Sequence, residues 1–147
     1  RLGIAEIVEL GFPTDTLADV PLNQLRERLV YCIRKYQPYA VFGFDPDAPG
    51  EPNQDHLRVA QATEEAYWVA TFDLHHTEHF AEGLAPFAVC EHWYFARQLP
   101  TANALVDITD HLSAKAAALA THRTMVRNIF EGLRLQLRTY GRQWPAL

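Results

Sequence analysis

The chain's apolar positions change period from one segment to the next. IAEIVEL, residues 4–10, is apolar around two glutamates and runs into Gly11 and Pro13, which predicts a short strand ending in a turn. From Pro21 onward Leu22, Leu25, Leu29, Cys32, Ile33 and Tyr36 recur every three or four residues. Pro21 suits a first helical turn and Pro38 closes the segment, so a helix is expected between them. YAVFGF, residues 39–44, is a continuous apolar run of strand length that stops at DPDAPG, as in a strand buried on both faces. Asn53 then offers an N-cap, and Val59, Ala62, Thr63, Ala66, Tyr67 and Ala70 line one face of a second helix.

This strand, helix, strand, helix order predicts an α/β fold: a Rossmann-like, mostly parallel sheet with right-handed crossovers, flanked by helices. Residues 71–87 read as irregular. FAVCEHWYFA and ALVDIT read as two further strands with Pro100 between them, and a helix from about Asp110 to Tyr140 ends the chain. Leu112, Ala116, Leu119, Val126, Phe130, Leu133 and Leu137 form its apolar seam. Arg123 occupies the heptad slot between Leu119 and Val126, which favours packing on the sheet over a coiled coil. With no internal repeat and no low-complexity linker, residues 1–147 are expected to form a single domain.

Composition narrows the class. With 48% hydrophobic and 21% charged residues the chain reads as globular, and no apolar run approaches the roughly 20 residues needed to span a bilayer. Glu6 and Glu9 interrupt the first apolar stretch and no small-residue cleavage site follows, so a cytoplasmic setting without membrane attachment is expected. Cys32 and Cys90 form neither a disulfide framework nor a cysteine zinc cluster. A net charge of −5 argues against nucleic acid as a partner, and Arg123, Arg127, Arg134, Arg138 and Arg142 are spaced for the wet face of a helix.

The chemistry concentrates at GEPNQDHLRVAQ, residues 50–61. In open parallel sheets ligands bind beyond the carboxyl ends of the strands, and the loop Asp45 to Pro52 leaves such an end. If Asn53 caps the helix, Asp55 and His56 lie in its first turn, where the helix dipole favours a carboxylate and disfavours an imidazolium. A neutral imidazole is what a metal requires, which makes His56 a candidate ligand. Asp55 would orient a neighbouring group or reinforce the helix end. Asp45 and Asp47 fit either second-layer contacts to substrate or turn chemistry around Pro46.

FGFDPDAPGEPNQDHLRVAQATEEAYW resembles the second motif of the PIG-L/LmbE-like zinc-dependent N-deacetylases, a G-x-H-P-D-H loop opening a helix after a strand. EGLAPFAVCEHWYFA, VDITDHLSAKAAALATH and the opening LGIAEIVELGF with Thr14 and Asp15 are similar to further landmarks of that family, in the same order. The resemblance implies a hydrolase that removes an N-acetyl group from an N-acetylglucosamine-type substrate, a small N-acetylated sugar. It further implies zinc or another divalent metal held by His56 together with a His and an Asp of an A-H-P-D-D motif. Zinc acidifies bound water and polarises the amide carbonyl.

No HPDD string occurs in this chain. The resemblance therefore implies the C-terminal portion of an LmbE-like deacetylase domain, its sheet missing a first strand, or a partner that supplies the other ligands. Unpaired strand edges then favour homo-oligomers. The first His of the motif is matched here by Asn53, which can donate to an oxyanion but cannot deliver a proton. Glu51 is the nearby candidate acid for the leaving amine, with a solvated loop glutamate as the simpler reading. Asp55, Asn53 and Glu51 are thus the candidate catalytic residues and His56 the candidate metal ligand.

The remaining histidines read more plainly. His75 and His79, spaced i, i+4, suggest either a surface loop or a substrate-facing or adventitious metal site. His92 reads as a partly buried or exposed strand residue, and His122 as a packing or hydrogen-bonding residue. Trp68, Trp93, Trp144 and Tyr94 are core candidates, with sugar stacking reserved for any at the metal face. The rival to an enzyme is a catalytically incomplete binding or assembly module, and a third reading is a metal-storage or sensing protein built on the histidines of residues 75–92.

Overall fold

The computed structural model describes residues 3–95 and 102–140. Pro100, Arg142 and Trp144, and the last residue of the expected strand 87–96, lie outside them. The chain forms two compact units, Glu9–Asn103 and a second made of Arg1–Val8 with Ala104–Leu147.

The first unit carries α1 (Leu22–Tyr36), β1 (Ala40–Phe44), α2 (Gln54–Val69), the short α3 (Glu78–Ala81) and β2 (Glu91–Phe95). β1 and β2 pair in parallel, Ala40 opposite Glu91 through Phe44 opposite Phe95. Helices flanking a parallel sheet are the architecture expected from the alternation of periods. α1 and α2 close on each other around Val30, Ile33, Ala66, Tyr67, Val69 and Ala70. A second cluster joins Leu17, Leu25 and Ala62. The alanines of α2 let the two helices approach closely, and the buried face of α2 includes four of the six predicted positions, Ala62, Thr63, Ala66 and Tyr67, with Ala70 buried at its cap.

β1 departs from the double-sided burial expected of it. Phe42 stays 67% exposed and stacks on Trp93 of β2, the rings 5.8 Å apart and 13° from parallel. Residues 4–10 and 104–108 form no strand. A strand persists only with a ladder partner, and neither segment has one among the described residues. In the second case local chemistry also intervenes: Asp107 Oδ1 accepts the backbone N–H and the hydroxyl of Thr109, at 2.9 and 2.6 Å, folding the chain into a helical turn at Thr109–His111.

In the second unit the helix expected over residues 110–140 is two helices, α4 (Leu112–Ala120) and α5 (Arg123–Tyr140). The break has a local cause. The Thr121 hydroxyl and N–H both donate to Ala118 O, at 2.7 and 3.2 Å, and His122 N–H donates to Leu119 O, so the ladder tightens to three-residue turns. Neither helix carries a buried residue.

Candidate functional site

β1 delivers the chain to the site. Past Phe44 the ladder continues for one bond, Asp45 N–H to Phe95 O at 3.1 Å, and Asp45 Oδ1 then accepts Asp47 N–H at 2.9 Å. Asp45 thus spends a carboxylate oxygen on turning the chain. Gly50, at φ +73°, makes a second turn that an L side chain would strain. Glu51 follows, its side chain only 3% exposed. Its Oε1 accepts Asn53 N–H at 3.0 Å, and Asn53 Oδ1 in turn accepts Asp55 N–H at 2.9 Å. Asn53 is therefore the N-cap of α2, satisfying one of the donors a helix start leaves open.

His56 lies on the inner side of this cap. Its ring stacks on Phe44, centroids 4.0 Å apart and planes within 11°. Nε2 faces Asn53 Nδ2 at 3.2 Å, and Nδ1 stands 3.3 Å from Glu51 Oε1, a close approach that is off-axis for a hydrogen bond. Glu51, Asn53 and His56 therefore form one cluster at the carboxyl end of β1. Asp55 is engaged elsewhere: Oδ2 accepts Asp15 N–H at 2.6 Å and Oδ1 accepts Leu17 N–H at 3.0 Å.

With its proton on Nδ1 the His56 ring would offer Nε2 to a divalent metal, and a carboxylate near the other ring nitrogen, as Glu51 Oε1 is at 3.3 Å, is a common neighbour of metal-bound histidines. The cluster thus fits one ligand of a site that ordinarily takes three from the protein.

A different cluster lies at α3. Ligand atoms of His76, Glu78 and His79 come within 4.8 Å of one another, but the spacing of His75 and His79 does not carry over: His75 is exposed and outside the group. His79 corrects the surface-loop reading, because it is 1% exposed and both ring nitrogens are engaged. Arg34 NH1 lies 3.2 Å from its Nδ1 and Glu27 Oε1 lies 3.0 Å from its Nε2. A guanidinium only donates, so Nδ1 accepts and Nε2–H donates to Glu27. A metal at His79 would have to displace one of these partners beside a fixed positive charge, so this group reads as structure.

Arg34 is the residue that sequence reasoning missed. It is 1% exposed and donates to Ala70 O, Phe72 O, His75 O and His76 O at 2.7 to 3.3 Å, pinning the irregular segment after α2 onto α1. Burial lowers its guanidinium pKa. The only hint in the sequence is its place one turn after Val30, beside Ile33, on the apolar side of α1.

Other expected positions resolve individually. His92 is exposed and stacks on Tyr67 at 3.6 Å. His122 is exposed at the α4/α5 break, where its carbonyl accepts Val126 N–H. Trp68 is 64% exposed and Trp93 36%, so neither is core. Tyr94 donates to Glu64 Oε1 at 2.7 Å, and burial first, then that bond, raises its phenol pKa.

Residues 1–67 match the family model described as PIG-L: GlcNAc-PI de-N-acetylase, a span containing the whole Glu51–His56 cluster. Among solved structures the chain is similar to the N,N'-diacetylchitobiose deacetylase from Pyrococcus horikoshii, complexed with its inhibitor MPG in an acetate-containing condition. The identity is 28% and the TM-score 0.68, over 84% of this chain and 46% of that one. The chain therefore spans less than half the length of that enzyme. No curated protein matches in sequence.

Proposed function

We propose that this chain, which shares motif and fold with these deacetylases, is the C-terminal portion of a metal-dependent hydrolase. Its substrate would be an N-acetylglucosamine-type amide and its products acetate and a free amine. The observation that carries the reading is the His56 cluster at the carboxyl end of β1, inside the matched family span and in the place where open parallel sheets bind ligands. Asn53 fixes the start of α2 and faces the ring at Nε2, while Glu51 lies close to Nδ1. Bound there, zinc would polarise the scissile carbonyl and acidify water.

The residues of this chain set limits on the chemistry. Asn53 offers a hydrogen bond to a developing oxyanion but no proton. Glu51 is buried behind the imidazole, which favours a supporting role over the solvent-side acid that its loop position suggested. The proton for the leaving amine and the remaining metal ligands are then expected from residues upstream of Arg1. Cys32 and Cys90 are free thiols. Among the described residues no helix is long and apolar enough to cross a membrane. The exposed Phe42 and Trp93 pair supports self-association.

The test is acetate release from N,N'-diacetylchitobiose by residues 1–147 and by the same chain extended upstream. The extended protein should be active and the shorter one nearly inactive, with His56→Ala abolishing the activity of the former. Equal activity in both lengths would overturn the missing-ligand argument.

The engagement of Asn53 as a helix cap favours a second reading, a non-catalytic binding module that keeps the fold. An HPDD-type string at the end of an apolar strand upstream of Arg1 would exclude it.

A further inference from the structure

We infer that the outer edge of β1 is the seat of a further parallel strand, and that polypeptide upstream of Arg1 supplies it. The seat rests on backbone geometry; only its consequence for metal binding rests on the function proposed above. β1 pairs with β2 on one side, and among the described residues no strand pairs with its other side. The direction of its backbone groups follows from two bonds at its ends. Tyr39 O accepts Glu91 N–H at 3.0 Å and Asp45 N–H donates to Phe95 O at 3.1 Å, so the odd-numbered residues of this run are directed at β2. The N–H and C=O groups of Ala40, Phe42 and Phe44 therefore point the other way, along an edge without a ladder partner.

That edge opens into an apolar groove of about 350 Å³. Val41 and Gly43, which face the helices, and Phe42 and Phe44, which face the opposite way, all line it, as do Leu29 of α1 and Val59 of α2. Residues from both faces of one strand border a single groove only beyond that strand's hydrogen-bonding edge. A hydrocarbon ligand would suit the walls and leave the backbone groups unpaired, while a sugar would satisfy the backbone and set its remaining hydroxyls against apolar walls. An extended apolar segment meets both demands, as in strand addition at an open sheet edge. β1 is itself composed for two neighbours: it carries no polar side chain, yet with one neighbour Phe42 stays 67% exposed. The chain covers 46% of the similar deacetylase, so an enzyme of that length has further segments to offer. A strand parallel to β1 would leave the groove beside Phe44, whose ring lies 4.0 Å from that of His56, and would carry the residues after it to the candidate metal ligand.

The experiment is amide hydrogen exchange, read by NMR on isotope-labelled protein, for residues 1–147 and for the same chain extended upstream, each at two concentrations. In the shorter chain Val41 and Gly43 should exchange slowly and Phe42 and Phe44 fast. In the extended chain that fast exchange should be lost, Phe42 and Phe44 falling to the rates of Val41 and Gly43 at both concentrations. Fast exchange of Phe42 and Phe44 in the extended chain overturns the inference. So does protection already present in residues 1–147, and protection that rises with concentration would make a second copy the occupant. Should residues 1–147 not fold alone, the extended chain decides by itself, through protection of Phe42 and Phe44 that concentration does not change. Protected Phe42 and Phe44 in an extended protein that releases no acetate from N,N'-diacetylchitobiose support the seat and sink the hydrolase reading instead; acetate release with these amides unprotected does the reverse.

Discussion

Asp55 Oδ2 accepts the backbone N–H of Asp15 at 2.6 Å, joining two segments 40 residues apart. Asp15 sits at φ +61°, a conformation that costs a non-glycine residue energy, and Leu17 N–H adds a second bond to the same carboxylate at 3.0 Å. Two landmarks of the family resemblance, the turn after the first apolar segment and the Asp beside the motif histidine, are thereby one structural feature.

Asp55→Ala should therefore lower stability by about 1–3 kcal/mol, since two charge-assisted bonds to backbone are lost. A urea melt followed by circular dichroism reads this directly. Unchanged stability combined with lost activity in the extended protein would instead place Asp55 in the chemistry.

Removing Arg34 should cost more. Arg34→Ala empties the space of a buried side chain and takes the guanidinium donor from Phe72 O and His75 O, at about 1 kcal/mol or more each, while Ala70 O and His76 O keep the N–H groups of Phe87 and His79. Arg34→Lys cannot reproduce the planar fork and should rescue little. Hydrogen exchange should speed up selectively across residues 69–79, and uniform exchange rates in wild type and variant would show that the guanidinium does not organise that segment.

Tyr67 supplies a pH dependence. Burial pushes its phenol up to about 12, and its hydroxyl, in a residue 6% exposed, has no hydrogen-bond partner among the described residues. The folded-state pKa lies above the unfolded value of about 10. Its contribution to stability is thus complete below pH 10 and is lost as pH rises through about 12. Tyr67→Phe should be neutral or stabilising at pH 7 and should flatten the alkaline loss of stability. A variant less stable than wild type at pH 7 would mean the hydroxyl has a partner.

Sequence reasoning succeeded where structure is local. The cap at Asn53 and the buried face of α2 depend on residues within a few positions, so spacing reveals them. It failed where partners are distant: the acceptors of Arg34 lie 36 to 42 residues away, and no periodicity announces them. Strands at 4–10 and 104–109 were suggested by apolar runs, but a strand is a property of a pair. Glu51 was readable only as a loop acid because its burial follows from the turn at Gly50, a conformation that the residue type permits without dictating.

The central claim, that His56 and not the α3 cluster is the metal ligand, is tested most directly by competing a chromophoric chelator for zinc against the upstream-extended protein. The variants to set beside it are His56→Ala and the doubly substituted His76→Ala, Glu78→Ala. The account predicts at least about tenfold weaker binding for His56→Ala, in line with loss of a metal-site group, and no change for the double variant. Zinc retained at full affinity without His56, and lost without His76 and Glu78, would contradict it.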